Sequence, residues 1–148
     1  SIMLSGGMSF PLFQELRDKR GLCYHTSASL DEFSDSSLFS IYIGTDPKKY
    51  QEAIKVALEI VNSNKDNQKL MAKAKDLTLG RLSLVFDDPK SILNLAVLDI
   101  LIGEEPKTYN QIKEEIEKIS INDIEKAVDN YLLNDNLRQV LLLPSNYK

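Results

Sequence analysis

The chain has 148 residues, 43% of them apolar and 27% charged, and 22 acidic against 18 basic residues leave a net charge of −4. That length is one ordinary domain, enough to bury a core, and the acidic balance excludes the basic footprint of a nucleic-acid binder. A single cysteine, Cys23, excludes an internal disulfide, and a single histidine, His25, excludes a multi-histidine metal site built from this chain alone.

The longest apolar run, Ile92 to Ile102, is interrupted by Asn94 and Asp99 and is too short to span a bilayer. No basic-then-apolar leader opens the sequence. The expectation is a cytoplasmic protein with neither membrane nor nucleic-acid partners. Ser1 leads through Ile2-Met3-Leu4 straight into Ser5-Gly6-Gly7-Met8. No leading structure is predicted there, and the expectation is a piece of a longer polypeptide.

Taken in chain order, Ser9-Phe10-Pro11 opens a helix, with Ser9 as cap and Pro11 in the first turn. Leu12, Phe13 and Leu16 form its apolar stripe, and Gly21 is a left-handed stop. Leu22 to Leu30 alternates, with Leu22, Tyr24, Thr26, Ala28 and Leu30 on one face and Cys23, His25, Ser27 and Ser29 on the other. A polar turn from Asp31 to Ser36 joins it to a second strand, Ser37 to Thr45, predicting an antiparallel pair. Asp46-Pro47 starts a helix that runs to about Asn62. A second spans about Asp66 to Phe86 with Gly80 inside it, and a third follows Asp87-Asp88-Pro89 to Ile102, with Gly103 as its stop.

Ile112, Ile116 and Ile119 mark a short helix after Pro106. Ser120 and Asp123 have capping-box spacing before a helix carrying Ile124, Ala127, Val128 and Tyr131. Asn134-Asp135-Asn136 turns the chain, and Arg138 to Leu143 reads as a final strand. The surplus acids between Glu104 and Asp129 belong to solvated helix faces. Residues 1–148 therefore predict a single α+β domain, an antiparallel-rich sheet with helices packed on it.

Chemistry is sparse. Gly6-Gly7 lacks the further glycines and the Lys-Ser/Thr of a phosphate loop. There is no Gly-x-Ser-x-Gly elbow. Cys23 and His25, two apart on one strand, make a Cys–His dyad conceivable, although a structural cysteine beside a surface histidine is the commoner arrangement. Arg17, near a helix end, and Tyr24, on the following strand, are folded back together by the Gly21 turn. A guanidinium fork and a phenol on one surface can donate hydrogen bonds to a carbonyl or a developing oxyanion. On spacing alone the pair reads as a surface arginine and a core tyrosine.

Ser5-Gly6-Gly7-Met8-Ser9, Leu12-Phe13-Gln14-Glu15-Leu16-Arg17 and Lys19-Arg20-Gly21-Leu22-x-Tyr24 resemble the pitrilysin/insulinase family of zinc peptidases, in its bacterial, mitochondrial-processing-peptidase-like branch. Asp35-Ser36-x-Leu38-Phe39, Ile41-Tyr42-x-Gly44-Thr45 and Ile119-Ser120-x-Asn122-Asp123-Ile124 continue the likeness in order. The resemblance implies the later part of the second, C-terminal domain of a peptidase half. Two such halves enclose a chamber for a peptide or unfolded protein substrate. It implies zinc in the full-length protein, held by a His-x-x-Glu-His motif in another domain, because no such motif occurs here. It implies that Arg17 and Tyr24 reach the substrate from opposite the zinc, hold the scissile carbonyl and stabilise the oxyanion. The fragment itself then holds no cofactor and is not catalytic alone. The alternative is a non-catalytic structural or substrate-presenting subunit of the same family, paired with an active partner.

Overall fold

A computed structural model describes residues 1–133 and 137–145. The first element is a single turn of helix that the sequence reading omitted, α1 (Ile2–Ser5). It forms because Leu4 is buried and because the Ser5 hydroxyl pairs with Ala28 in mid-strand. Ser5 Oγ accepts from the Ala28 N–H at 2.7 Å and donates to its carbonyl at 3.2 Å. Gly6 is a close-approach glycine. A Cβ there would stand 2.9 Å from the Ile2 carbonyl oxygen, from Leu77 and from Phe10.

The helix after Pro11 is α-wound for two residues and then π-wound, π1 (Phe13–Lys19), burying Leu12 and Leu16 completely. Two strands follow, β1 (His25–Glu32) and β2 (Ser37–Gly44), antiparallel in the register Ser27↔Tyr42 and Ser29↔Ser40. Thr26 is buried on the inner face, where Ala28, Phe39, Ile41 and Ile43 pack against the core. His25, Ser29 and Tyr42 look outward, and the Ser29 and Ser40 hydroxyls meet at 2.9 Å. The first strand starts three residues later than expected. Leu22 and Cys23 are both buried, so alternation has not yet begun where the chain leaves the Gly21 turn.

The helix α2 (Tyr50–Asn64) buries Ala53, Val56, Ala57, Ile60 and Val61, a stripe at i, i+3, i+4, i+7 and i+8. It closes over Leu12, Leu16 and Leu22. It begins at Tyr50 because Asp46 spends its oxygens on a turn, accepting the Lys48 and Lys49 N–H groups at 2.8 Å each. The long α3 (Gln68–Asp87) is capped by Asn67 and buries Leu70 and Ala74 against Phe10. Next, α4 (Pro89–Leu101) opens on the expected Asp88 cap with proline and ends at Gly103, φ +86°. No residue of α4 is buried. A capping box of Thr108 and Gln111, not anticipated, opens α5 (Tyr109–Lys118). The anticipated Ser120–Asp123 box opens α6 (Ile121–Ala127), which runs into π2 (Val128–Leu132).

The expected final strand is not there. Residues 138–143 pair with nothing as a strand, and Val140 and Leu142 are 96% and 99% exposed. A strand exists only where a neighbour's N–H and C=O groups meet its own. Here a cleft of about 570 Å³, lined by Ile41, Ile43, Leu58, Leu132, Leu141 and Leu143 among others, separates this stretch from β2. The turn expected at Asn134-Asp135-Asn136 lies outside the described residues. Among the described residues the sheet has two strands.

Candidate functional site

Arg17 and Tyr24 meet on the surface through the end of π1. The Leu22 N–H donates to the Leu16 carbonyl at 2.7 Å and the Gly21 N–H to the Arg17 carbonyl at 3.1 Å. These are the paired bonds of a glycine-stopped helix end, each stretched by one residue as π winding requires. Gly21 sits at φ +55° with open space where a Cβ would be. Lys49 Nζ donates to the Gly21 carbonyl at 3.0 Å, and the Thr45 hydroxyl donates to the Leu22 carbonyl. The Tyr24 N–H donates to the Gly44 carbonyl at 2.7 Å, fixing Tyr24 at the end of the sheet.

The Arg17 guanidinium carbon lies 5.7 Å from the centroid of the Tyr24 ring and 4.8 Å from that of Phe13, within cation–π reach of both. Arg17 is exposed and Tyr24 is 83% exposed. The spacing-only reading of Tyr24 as a core residue is therefore wrong. Tyr24 precedes β1, so the alternation that buries Thr26 does not reach it, and its ring lies beside Arg17 of π1. Sequence reasoning assigned Phe13 to the apolar stripe and missed its contact with Arg17; the i, i+4 separation was the available signal. Their contacts with the turn gave Lys49 and Thr45 no local pattern to read, since both reach it from across the fold.

The Cys–His dyad does not form. Cys23 is buried in the core, whereas His25 is exposed and tilted against Tyr42, with ring centroids 5.7 Å apart. The two do not share a face because Cys23 precedes the strand. Burial pushes the Cys23 thiol above its ordinary value, and the nearby Arg17 charge draws it partly back. That is the setting of an inert, structural cysteine.

Metal ligation has the same answer. Among the described residues no three His, Cys, Asp or Glu side chains converge. Cys23 turns inward and His25 outward, so those two do not meet at one ion.

Residues 1–78 match the family model described as the Peptidase M16 inactive domain. The chain belongs to the M16 peptidase family. It is part of a zinc-metallopeptidase-family protein and corresponds to the inactive domain, as the pitrilysin/insulinase resemblance implied. It is similar to an uncharacterized zinc protease of Mycobacterium bovis, 28% identical over 148 residues, covering 98% of this chain and 34% of the relative. The uncharacterized zinc protease YmxG of Bacillus subtilis is 25% identical over 146 residues, covering 97% of this chain and 36% of its own. The chain thus spans about a third of the length of these curated relatives. A crystal structure of a proposed zinc protease from Bordetella pertussis Tohama I superposes with a TM-score of 0.75 at 18% identity, covering 97% of this chain and 81% of that one. At that identity the likeness carries the M16 fold alone.

Proposed function

We propose that the complete polypeptide is a zinc-dependent metalloendopeptidase of the cytoplasm. Residues 1–148 would belong to its C-terminal, zinc-free domain. This domain would face an unfolded peptide across a chamber shared with the other domains of the chain and a second half-molecule. The observation that carries the reading is the exposed Arg17–Tyr24 pair, 5.7 Å from guanidinium to ring, in a chain of the M16 family.

Both groups are donors. The guanidinium presents a planar fork of N–H groups and the phenol one O–H. Aimed at a scissile carbonyl, they would orient it in the ground state and tighten as its oxygen becomes negative in the tetrahedral intermediate. Charge that develops only in the transition state lowers the barrier, whereas equal binding of both states does not. The bare apolar surface of α4 supports a neighbouring domain, since Leu93, Leu98, Ile100 and Leu101 are all more than half exposed, from 59% to 72%.

The test is peptide cleavage by the complete polypeptide. Tyr24→Phe removes one hydroxyl and keeps the ring, so turnover should fall on the order of 100-fold or more with little change in the melt. Arg17→Ala should lower turnover and also raise the Michaelis constant, because the guanidinium grips substrate before reaction as well. Near-normal turnover in Tyr24→Phe would reduce that tyrosine to packing. A complete reading frame without His-x-x-Glu-His would instead make the protein a non-catalytic subunit, and finding the protein in an exported fraction would remove the cytoplasmic assignment.

A further inference from the structure

We infer that Phe13 is a positioning residue for Arg17, holding the guanidinium plane ready for substrate without using any of its donors. The inference rests on the reading of Arg17 as a substrate contact.

An exposed arginine normally either wanders, at a cost in rotamer entropy when it must be fixed, or is pinned by a carboxylate. Arg17 has no carboxylate partner among the described residues. Its neighbour Glu15 is taken by Lys19 at 2.6 Å, and among the described residues no ion pair or side-chain hydrogen bond ends on Arg17. Its described partners are two aromatic rings, Phe13 at 4.8 Å and Tyr24 at 5.7 Å. A carboxylate would occupy two N–H groups and offset the charge. A ring face attracts the cation through its quadrupole and leaves all five N–H donors unspent.

The spacing along the helix makes this geometry possible. Phe13 and Arg17 stand four apart on one helix, the spacing that makes side chains neighbours on a helix surface, and Arg17 lies over the Phe13 ring. Phe13 is itself held, half-buried beside the fully buried Leu12 and Leu16. The ring is therefore a fixed shelf, and the i, i+4 spacing sets the arginine on it.

The test is a double-mutant cycle on peptide cleavage by the complete polypeptide, with a thermal melt for each variant. Phe13→Leu keeps an apolar side chain and removes the π face. It should lower kcat/KM by about three- to fivefold. Phe13→Tyr, which keeps the face, should stay within about twofold of the parent. In an Arg17→Ala background Phe13→Leu should cost nothing further, since its only effect is through the guanidinium. The same loss in both backgrounds would make Phe13 mere packing and overturn the inference while leaving the Arg17 reading intact. Unchanged cleavage in Arg17→Ala alone would overturn both. Should Phe13→Leu lower the melt, Phe13→Met against Phe13→Tyr decides the question: equal activities overturn the inference, and a deficit in Phe13→Met alone upholds it.

Discussion

Gly21 is the residue on which the Arg17–Tyr24 geometry turns. Its φ of +55° is a conformation that costs any residue with a Cβ roughly 1–2 kcal/mol, although nothing crowds the site. Gly21→Ala should therefore lower the melting temperature modestly and shift the loop between π1 and β1. Gly21→Asn should be milder, because asparagine tolerates the left-handed region. Equal melts for Gly21→Ala and the parent would contradict this account. Leu16 is the harsher case. It is fully buried on the inner side of π1, and truncation to alanine should cost about 2–5 kcal/mol through lost transfer energy and the cavity left behind. Denaturant unfolding measures that cost, and a loss under about 1 kcal/mol would mean that the site collapses freely.

At the scale of elements, two helix starts hang on aspartates. Asp88 takes the Ser91 hydroxyl at 2.6 Å and the Ser91 and Lys90 N–H groups, and Asp123 takes the Ser120 hydroxyl at 2.7 Å and the Ser120 N–H. Bonds from the serines, side chain first, hold both carboxyls below the ordinary aspartate value. A lowered folded value means that the stabilisation is complete above the ordinary pKa near 3.9 and is lost as pH falls through the folded one. Melts taken from pH 7 down to pH 3 should thus show an advantage of the parent over an Asp88→Asn, Asp123→Asn double variant that shrinks below about pH 4. A constant gap would exclude the linkage.

These same starts were legible in the sequence. Ser120-x-x-Asp123 and Asp88-Pro89 are local patterns whose bonds close within three residues, so little beyond the neighbouring residues decides them, although the same Asp-Pro pair at Asp46-Pro47 closed a turn and left α2 to begin at Tyr50. The final strand failed for the opposite reason. Arg138 to Leu143 has the composition of a strand, but a strand needs a partner, and composition does not say whether one is present. Tyr24 failed similarly. Period two placed it on the buried face with Thr26, but the strand begins only at His25, so the alternation does not reach Tyr24, and Leu22 and Cys23 before it are buried instead. Arg17 was placed by a local turn and came out where the Gly21 stop puts it.

For the molecule as a whole, the donor inventory predicts that residues 1–148, purified and dialysed against a chelator, retain no stoichiometric zinc. Metal analysis at one zinc per chain would contradict it. The sheet carries a second consequence. With only two strands described, β2 has one side of its backbone unpaired. Its sequence from Ser37 to Gly44 contains no charge and no proline, and Leu38 and Tyr42 are 56% and 60% exposed. Natural edges are blunted by charges, prolines or bulges, and one without them templates further strands. On its own, the chain should self-associate as its concentration rises, visible as growing particle mass in light scattering. Leu38→Lys, which sets a charge on that edge, should delay the onset. A chain that stays monomeric at millimolar concentration would show that the open edge is harmless; one that precipitates would make solubility, rather than folding, the first obstacle to working with it.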